Sequence, residues 1–134
     1  MRALLLAAVL LTACSDDVIK VGVIQGTPDV PTTVTAGQPF VVRITTGGNS
    51  CYEHERTDVE ETPYGALVVP YDRYHVPGEG SGCPQILQSI QHEATVVLDA
   101  PGSQTVRVRG LNRGSRAGVP FEETVDTDYG VSVE

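Results

Sequence analysis

The chain of 134 residues has no tryptophan, one methionine, two phenylalanines and three cysteines. The missing indole excludes a core in which tryptophan packs on a disulfide. Bases are scarce as well: 9 Lys and Arg stand against 17 Asp and Glu, a formal charge of −8. Such a balance excludes sequence-independent nucleic-acid binding, which needs cations to neutralise phosphates, and it excludes a polybasic membrane-contact surface. Its ordinary role is solubility. The long apolar run, Ala3 to Ala13, has eleven residues, whereas a membrane-crossing helix needs about 20. Motifs of enzyme chemistry are missing too. There is no GxSxG elbow and no HExxH or DxDxDG metal pattern, and GEGSG at 78–82 lacks the lysine of a phosphate loop. Glu60-Glu61 and Glu122-Glu123 are sequence neighbours; a strand projects such pairs to opposite faces, where they form no acid/base couple. The sequence is that of a non-catalytic protein.

What is present begins at the N-terminus, MRALLLAAVLLTAC, with a single basic residue, an apolar stretch and small residues leading into Cys14. The first two features are those of a secretory signal. The ending LTAC at 11–14 resembles the lipobox of bacterial lipoproteins, in which the cysteine thiol takes a diacylglycerol before cleavage. That resemblance implies a signal peptide at 1–13, a lipidated N-terminus and short tether at 14–17, and a mature chain of 121 residues, a single-domain length. Losing Arg2 leaves 8 bases against 17 acids, a formal charge of −9. It further implies a chain anchored to the membrane through Cys14 and not spanning it, since two or three acyl chains anchor stably where one does not. Ser15 stands where enteric bacteria place an inner-membrane retention Asp, which points to the outer membrane. In that oxidising compartment Cys51 and Cys83 are expected to form a disulfide. No cofactor is implied.

After Cys14 the apolar residues alternate with period two and are rich in Val, Ile and Thr, while sustained helical periodicity is absent. An all-β domain over 18–134 follows. The pattern predicts strands at Val18 to Gln25 and at Phe40 to Thr46, the latter with Phe40, Val42 and Ile44 inward. It predicts an exposed strand running into a loop at Tyr52 to Glu60, a short strand at Ala66 to Tyr71 and a flexible loop at His75 to Pro84. One or two helical turns are expected at Pro84 to Gln91, where Ile86, Leu87 and Ile90 recur at helical spacing. Glu93 to Asp99 and Thr105 to Gly110 read as a hairpin joined by Ala100-Pro101-Gly102-Ser103. Val119 to Val133 supplies a closing strand. About seven short strands with turns between them point to a two-sheet sandwich. The segments AGQPFVVRITT at 36–46 and APGSQTVRVRG at 100–110 resemble strand entries of bacterial immunoglobulin-like domains, and that resemblance implies an immunoglobulin-like β-sandwich.

Two polar constellations stand out. CYEHERTDVEET at 51–62, with His75 and His92 elsewhere, offers His54, His75 and Glu53 as ligands for a metal-handling periplasmic protein. The alternative is a solvated strand face. Arg107, Arg109, Arg113 and Arg116 hold half of the mature chain's bases within ten positions. In the expected sandwich the third and sixth strands are neighbours, which would pair Glu53 and Glu55 with Arg107 and Arg109. The other reading is a recognition patch on a loop at Gly110 to Gly118, with a second loop around Gly80. The expected function is a cell-envelope lipoprotein presenting a disulfide-bonded β-sandwich to a protein or glycan partner.

Overall fold

The computed structural model describes residues 16–134, so the signal peptide at 1–13 and the lipidation of Cys14 lie outside the described residues. Among the described residues there is no helix, and nine strands occur where about seven were expected: β1 Asp17–Val21, β2 Val23–Ile24, β3 Thr33–Val34, β4 Phe40–Gly48, β5 Tyr52–Thr62, β6 Gly65–His75, β7 Gln88–Val96, β8 Gly102–Arg116 and β9 Val119–Val133. They form two sheets. The smaller is β2-β4-β7; the larger runs β5-β6-β8-β9-β3, with β1 and β8 sharing one edge of β6. The β-branched alternation read from the sequence makes this sandwich. Val42 and Ile44 of β4 and Val96 of β7 face Val68 of β6 and Val106 and Val108 of β8, all buried in one core. Each such side chain contributes about 1.5–3 kcal/mol by leaving water.

Several expectations are corrected. The first strand is two: the chain bends at Gly22, leaving β1 in the large sheet and β2 in the small one. A Cβ at Gly22 would lie 2.4 Å from Thr46 Cγ2 and 2.7 Å from Asp72 Oδ2, so the crossing requires a residue without one. Pro84 to Gln91 holds no helical turn. Ile86 and Leu87 are exposed, and from Gln88 onward Ile90, His92, Ala94 and Val96 alternate inward against β4; strand pairing overrides the local helical spacing.

The runs around 93–99 and 105–110 are not a hairpin, because β7 and β8 belong to opposite sheets and the Ala100-Pro101-Gly102-Ser103 link crosses between them. Both runs bury their apolar faces in the same core from opposite sides. Nor is Gly110 to Gly118 a loop. The true hairpin joins β8 to β9 through Ala117 and Gly118, with fifteen residues in each arm. Both turn residues have positive φ, 51° at Ala117 and 79° at Gly118, as a type I′ turn demands.

The large sheet is mixed. β6 pairs with β8 in parallel, and β3 pairs with β9 in parallel. The hairpin β5–β6 therefore lies against β8 by its second arm, with β5 outermost.

The two open sides of the sandwich differ. On one, the edges β5 and β7 meet. There His92 Nε2–H donates to Asp72 Oδ1 at 2.8 Å, with Thr46 Oγ1 3.2 Å from the same nitrogen, and the Thr57 hydroxyl donates to Nδ1 at 2.9 Å. His54 stacks on the His92 ring, centroids 4.6 Å apart. Asp72 and His92 are almost fully buried. This polar clasp joins the sheets where an indole on a disulfide is absent. On the other side, between β2 and β9, no such clasp exists among the described residues.

Candidate functional site

The four arginines proposed as a patch are each tied to a carboxylate of the same hairpin. Arg107 grips Asp128 through two hydrogen bonds of 2.6 and 2.9 Å, and Arg109 grips Asp126 at 2.8 and 2.9 Å. Arg113 donates to Glu122 at 2.9 Å and Arg116 to Glu123 at 3.2 Å. The hydrogen bonds from Arg107 and Arg109 hold the carboxyls of Asp128 and Asp126 below the usual carboxylate range, and both guanidiniums are driven higher in return. Three of the guanidiniums also cover rings: Arg107 over Tyr64, Arg113 over Tyr52 and Arg116 over Phe121. The pairing with Glu53 and Glu55 is corrected, because β6 stands between β5 and β8. Glu55 instead meets Arg73, and Glu53 meets His75.

Of the proposed metal ligands, His75 and Glu53 meet, and His54 does not join them. His75 has both ring nitrogens occupied, Nδ1 by Asp17 at 2.8 Å and Nε2 by Glu53 at 2.9 Å. These two bonds raise its pKa above the ordinary value. His54 lies on the other face of β5, against His92. Among the described residues no group of three or more His, Cys, Asp or Glu has metal-holding geometry. A bulge between His54 and Arg56 separates the two arms of the motif. It turns Arg56 outward over Tyr71 and lets Thr57 reach His92.

The disulfide Cys51–Cys83 is present, with Cα atoms 5.6 Å apart, and it fastens the 76–87 segment to the start of β5. A hydrogen bond of 3.3 Å from the Ser50 hydroxyl to the Pro84 carbonyl lies beside it.

Two features were missed in the sequence. One is the clasp. His92 shares the parity of Ile90, Ala94 and Val96, so an inward histidine could have been read from the alternation. The other is a groove of about 350 Å³ on the open side of the sandwich, within the size range of ligand sites. Val23, Ile24 and Pro28 form one wall, and Leu111, Val125 and Tyr129 the other. It exists because the inner face of β9 outruns the small sheet: Val131 and Val133 are buried, while Val125 on the same face is 44% exposed. Beside it the outer edge of β9 is bare. β3 reaches only Ser132 and Val133, so from Val119 to Gly130 that edge has no strand partner among the described residues. Neither the groove nor two smaller hollows borders Thr57 or His92.

Comparisons with protein-family models, with curated proteins and with solved structures found no match for this chain.

Proposed function

We propose that this protein is a cell-envelope lipoprotein, lipid-modified at Cys14, that binds an extended segment of a protein partner and performs no catalysis. The observation that carries the binding reading is the bare edge of β9 beside an apolar groove. An unpaired edge is a template for strand addition, and alternate side chains of an added strand would enter the adjoining groove. The opposite edge of the same sheet is guarded: β5 is bulged and carries a run of charges. β9 pairs through fifteen positions without a register shift, and its Asp126 and Asp128 are held by Arg107 and Arg109. A backbone template favours a polypeptide over a glycan.

The lipoprotein reading is supported by LTAC at 11–14 and by a disulfide that suits an oxidising compartment. The immunoglobulin-like description is supported by three pairings that match such domains, β2 with β4, β4 with β7, and β8 with β9. The parallel contact of β6 with β8 is a departure from them.

The test is site-specific crosslinking in the native envelope, with a photoreactive residue at Val125 and, as the control, at Val59 on β5. The expected result is a discrete adduct at Val125 alone, lost in Thr124→Pro. Ser132 and Glu134 direct their N–H groups away from β8, to Thr32 and Val34. By the period of two, Thr124 does the same, so proline there removes an outward donor and spares the hairpin. No adduct at Val125, or one indifferent to Thr124→Pro, refutes strand addition.

A further inference from the structure

We infer that the pole of the sandwich from which the chain leads back to Cys14 is a lipid-docking surface, with Ile86, Leu87 and Val119 dipping into the interfacial layer of the membrane. The inference rests on the anchored reading and adds an orientation to it. Two residues, Ser15 and Asp16, separate Cys14 from Asp17, the first residue of β1, and the three Cα–Cα steps between them span at most about 11 Å. A lipid on Cys14 would therefore hold the start of β1 against the bilayer.

The topology shows what else lies at that pole. Asp17 pairs with His75, so the end of β6 is there. Gln88 pairs with Gly48, which places the β4–β5 turn and the 76–87 segment beside it. The hairpin tip points the same way, because β8 runs parallel to β6. From their last registered pair, Val68 with Val108, both Val76 and Arg116 lie eight residues on. Arg113 over Tyr52 and Lys20 against Glu122 tie the hairpin down at this level.

The exposed apolar side chains concentrate there. Of the ten exposed large hydrophobics among the described residues, six belong to this pole: Val18, Ile19, Val76, Ile86, Leu87 and Val119. Leu87 is 77% exposed, Ile86 66% and Val119 64%. Single exposed apolar residues need no explanation, but a cluster at one pole does. The disulfide holds the segment carrying Ile86 and Leu87 in place, so their exposure is a feature of the fold.

The occupant is a lipid surface for two reasons. The tether keeps this pole at high local concentration beside the bilayer, where a weak apolar contact suffices. The surrounding cations are also paired with carboxylates, Arg73 with Glu55, Lys20 and Arg113 sharing Glu122, and Arg116 with Glu123. Docking is then driven by apolar insertion to a depth of about 5–10 Å and is insensitive to salt.

The absence of tryptophan makes the test direct. Leu87→Trp and, separately, Ile86→Trp place a sole indole at the docking pole, and Tyr64→Trp places one on the β5–β6 turn at the far pole. Each full chain is produced with its lipid modification, checked by intact mass and reconstituted on zwitterionic phospholipid vesicles carrying shallow spin-labelled lipids. The expected result is a blue-shifted emission quenched several-fold for Leu87→Trp and Ile86→Trp, at low and high salt alike, with Tyr64→Trp unquenched. Vesicle-bound, lipid-modified protein in which all three indoles stay unquenched overturns the docking and leaves the anchor standing. Quenching that vanishes in high salt also overturns it, in favour of charge. Protein without lipid mass on Cys14 removes the anchored reading itself, and the inference with it.

Discussion

Among single residues, His92 matters most to the architecture. Its ring lies between the sheets, joined to Asp72 of β6 and Thr57 of β5, while Asp72 Oδ2 has no partner among the described residues. Removing one member of a buried polar pair strands the other, which costs about 3–5 kcal/mol, whereas replacing both by apolar residues costs far less. His92→Leu is therefore expected to lower the unfolding free energy in urea by that amount, and Asp72→Val added to it to recover more than half. His75 makes a contrasting case at the exposed pole. Asp17 and Glu53 raise its pKa above 6.5, so its cationic form is favoured in the folded chain. A raised value means that its contribution is complete below pH 6.5 and fades as pH climbs through the higher folded value. Ring-proton NMR of the native chain should show His75 titrating above 6.5, and Glu53→Gln should bring the midpoint down. A midpoint unmoved by Glu53→Gln would contradict the pairing.

For the strands, the key junction is the turn Ala117-Gly118 that closes the β8–β9 hairpin. Ala117 has φ of 51°, a conformation in which a Cβ crowds the backbone at a cost of about 1–2 kcal/mol. Ala117→Asn, the residue type that tolerates this region, is expected to stabilise the protein by about 1 kcal/mol in thermal or urea unfolding. The same turn explains why the hairpin was not legible. The sequence Arg-Ala-Gly-Val at 116–119 lacks the usual Asn-Gly signal, while Ala-Pro-Gly-Ser at 100–103 carries stronger turn chemistry and joins two sheets instead of two arms. Alternation told which residues face inward in β4, and Phe40, Val42 and Ile44 do so. It could not tell which sheet a strand joins, because Val and Ile pack equally well from either side of one core. The false helix at Pro84 to Gln91 arose because Ile86, Leu87 and Ile90 do not share an environment: Ile90 fills the core, and the other two face solvent. For the candidate site, the Cys51–Cys83 link was readable from cysteine arithmetic. The groove was not, since it depends on one strand outrunning the sheet that covers its neighbours.

Among the described residues, the molecule is a sandwich zipped by polar groups on one side, open on the other and pinned by a disulfide at the pole where β1 begins. The pin joins Cys51 to Cys83 across a sequence separation of 32, closing a loop that includes β5, β6 and residues 76–83. In the unfolded chain that closure removes conformational freedom worth about 3–4 kcal/mol, by the loop-entropy relation. Cys51→Ala with Cys83→Ala should therefore lower stability by that amount in urea. It should also raise the slope of free energy against denaturant, because an unconstrained unfolded chain exposes more surface. A stability loss with an unchanged slope would place the effect in the folded state, through release of the segment carrying Ile86 and Leu87. The two origins make different claims about function. If the pin acts through the unfolded chain, the uncrosslinked protein, once folded, keeps its apolar pole and an indole at Leu87 still reports the membrane. If it acts by holding that segment, the indole signal falls while the proposed strand addition beside the groove between β2 and β9, lined by none of the pinned residues, is unchanged.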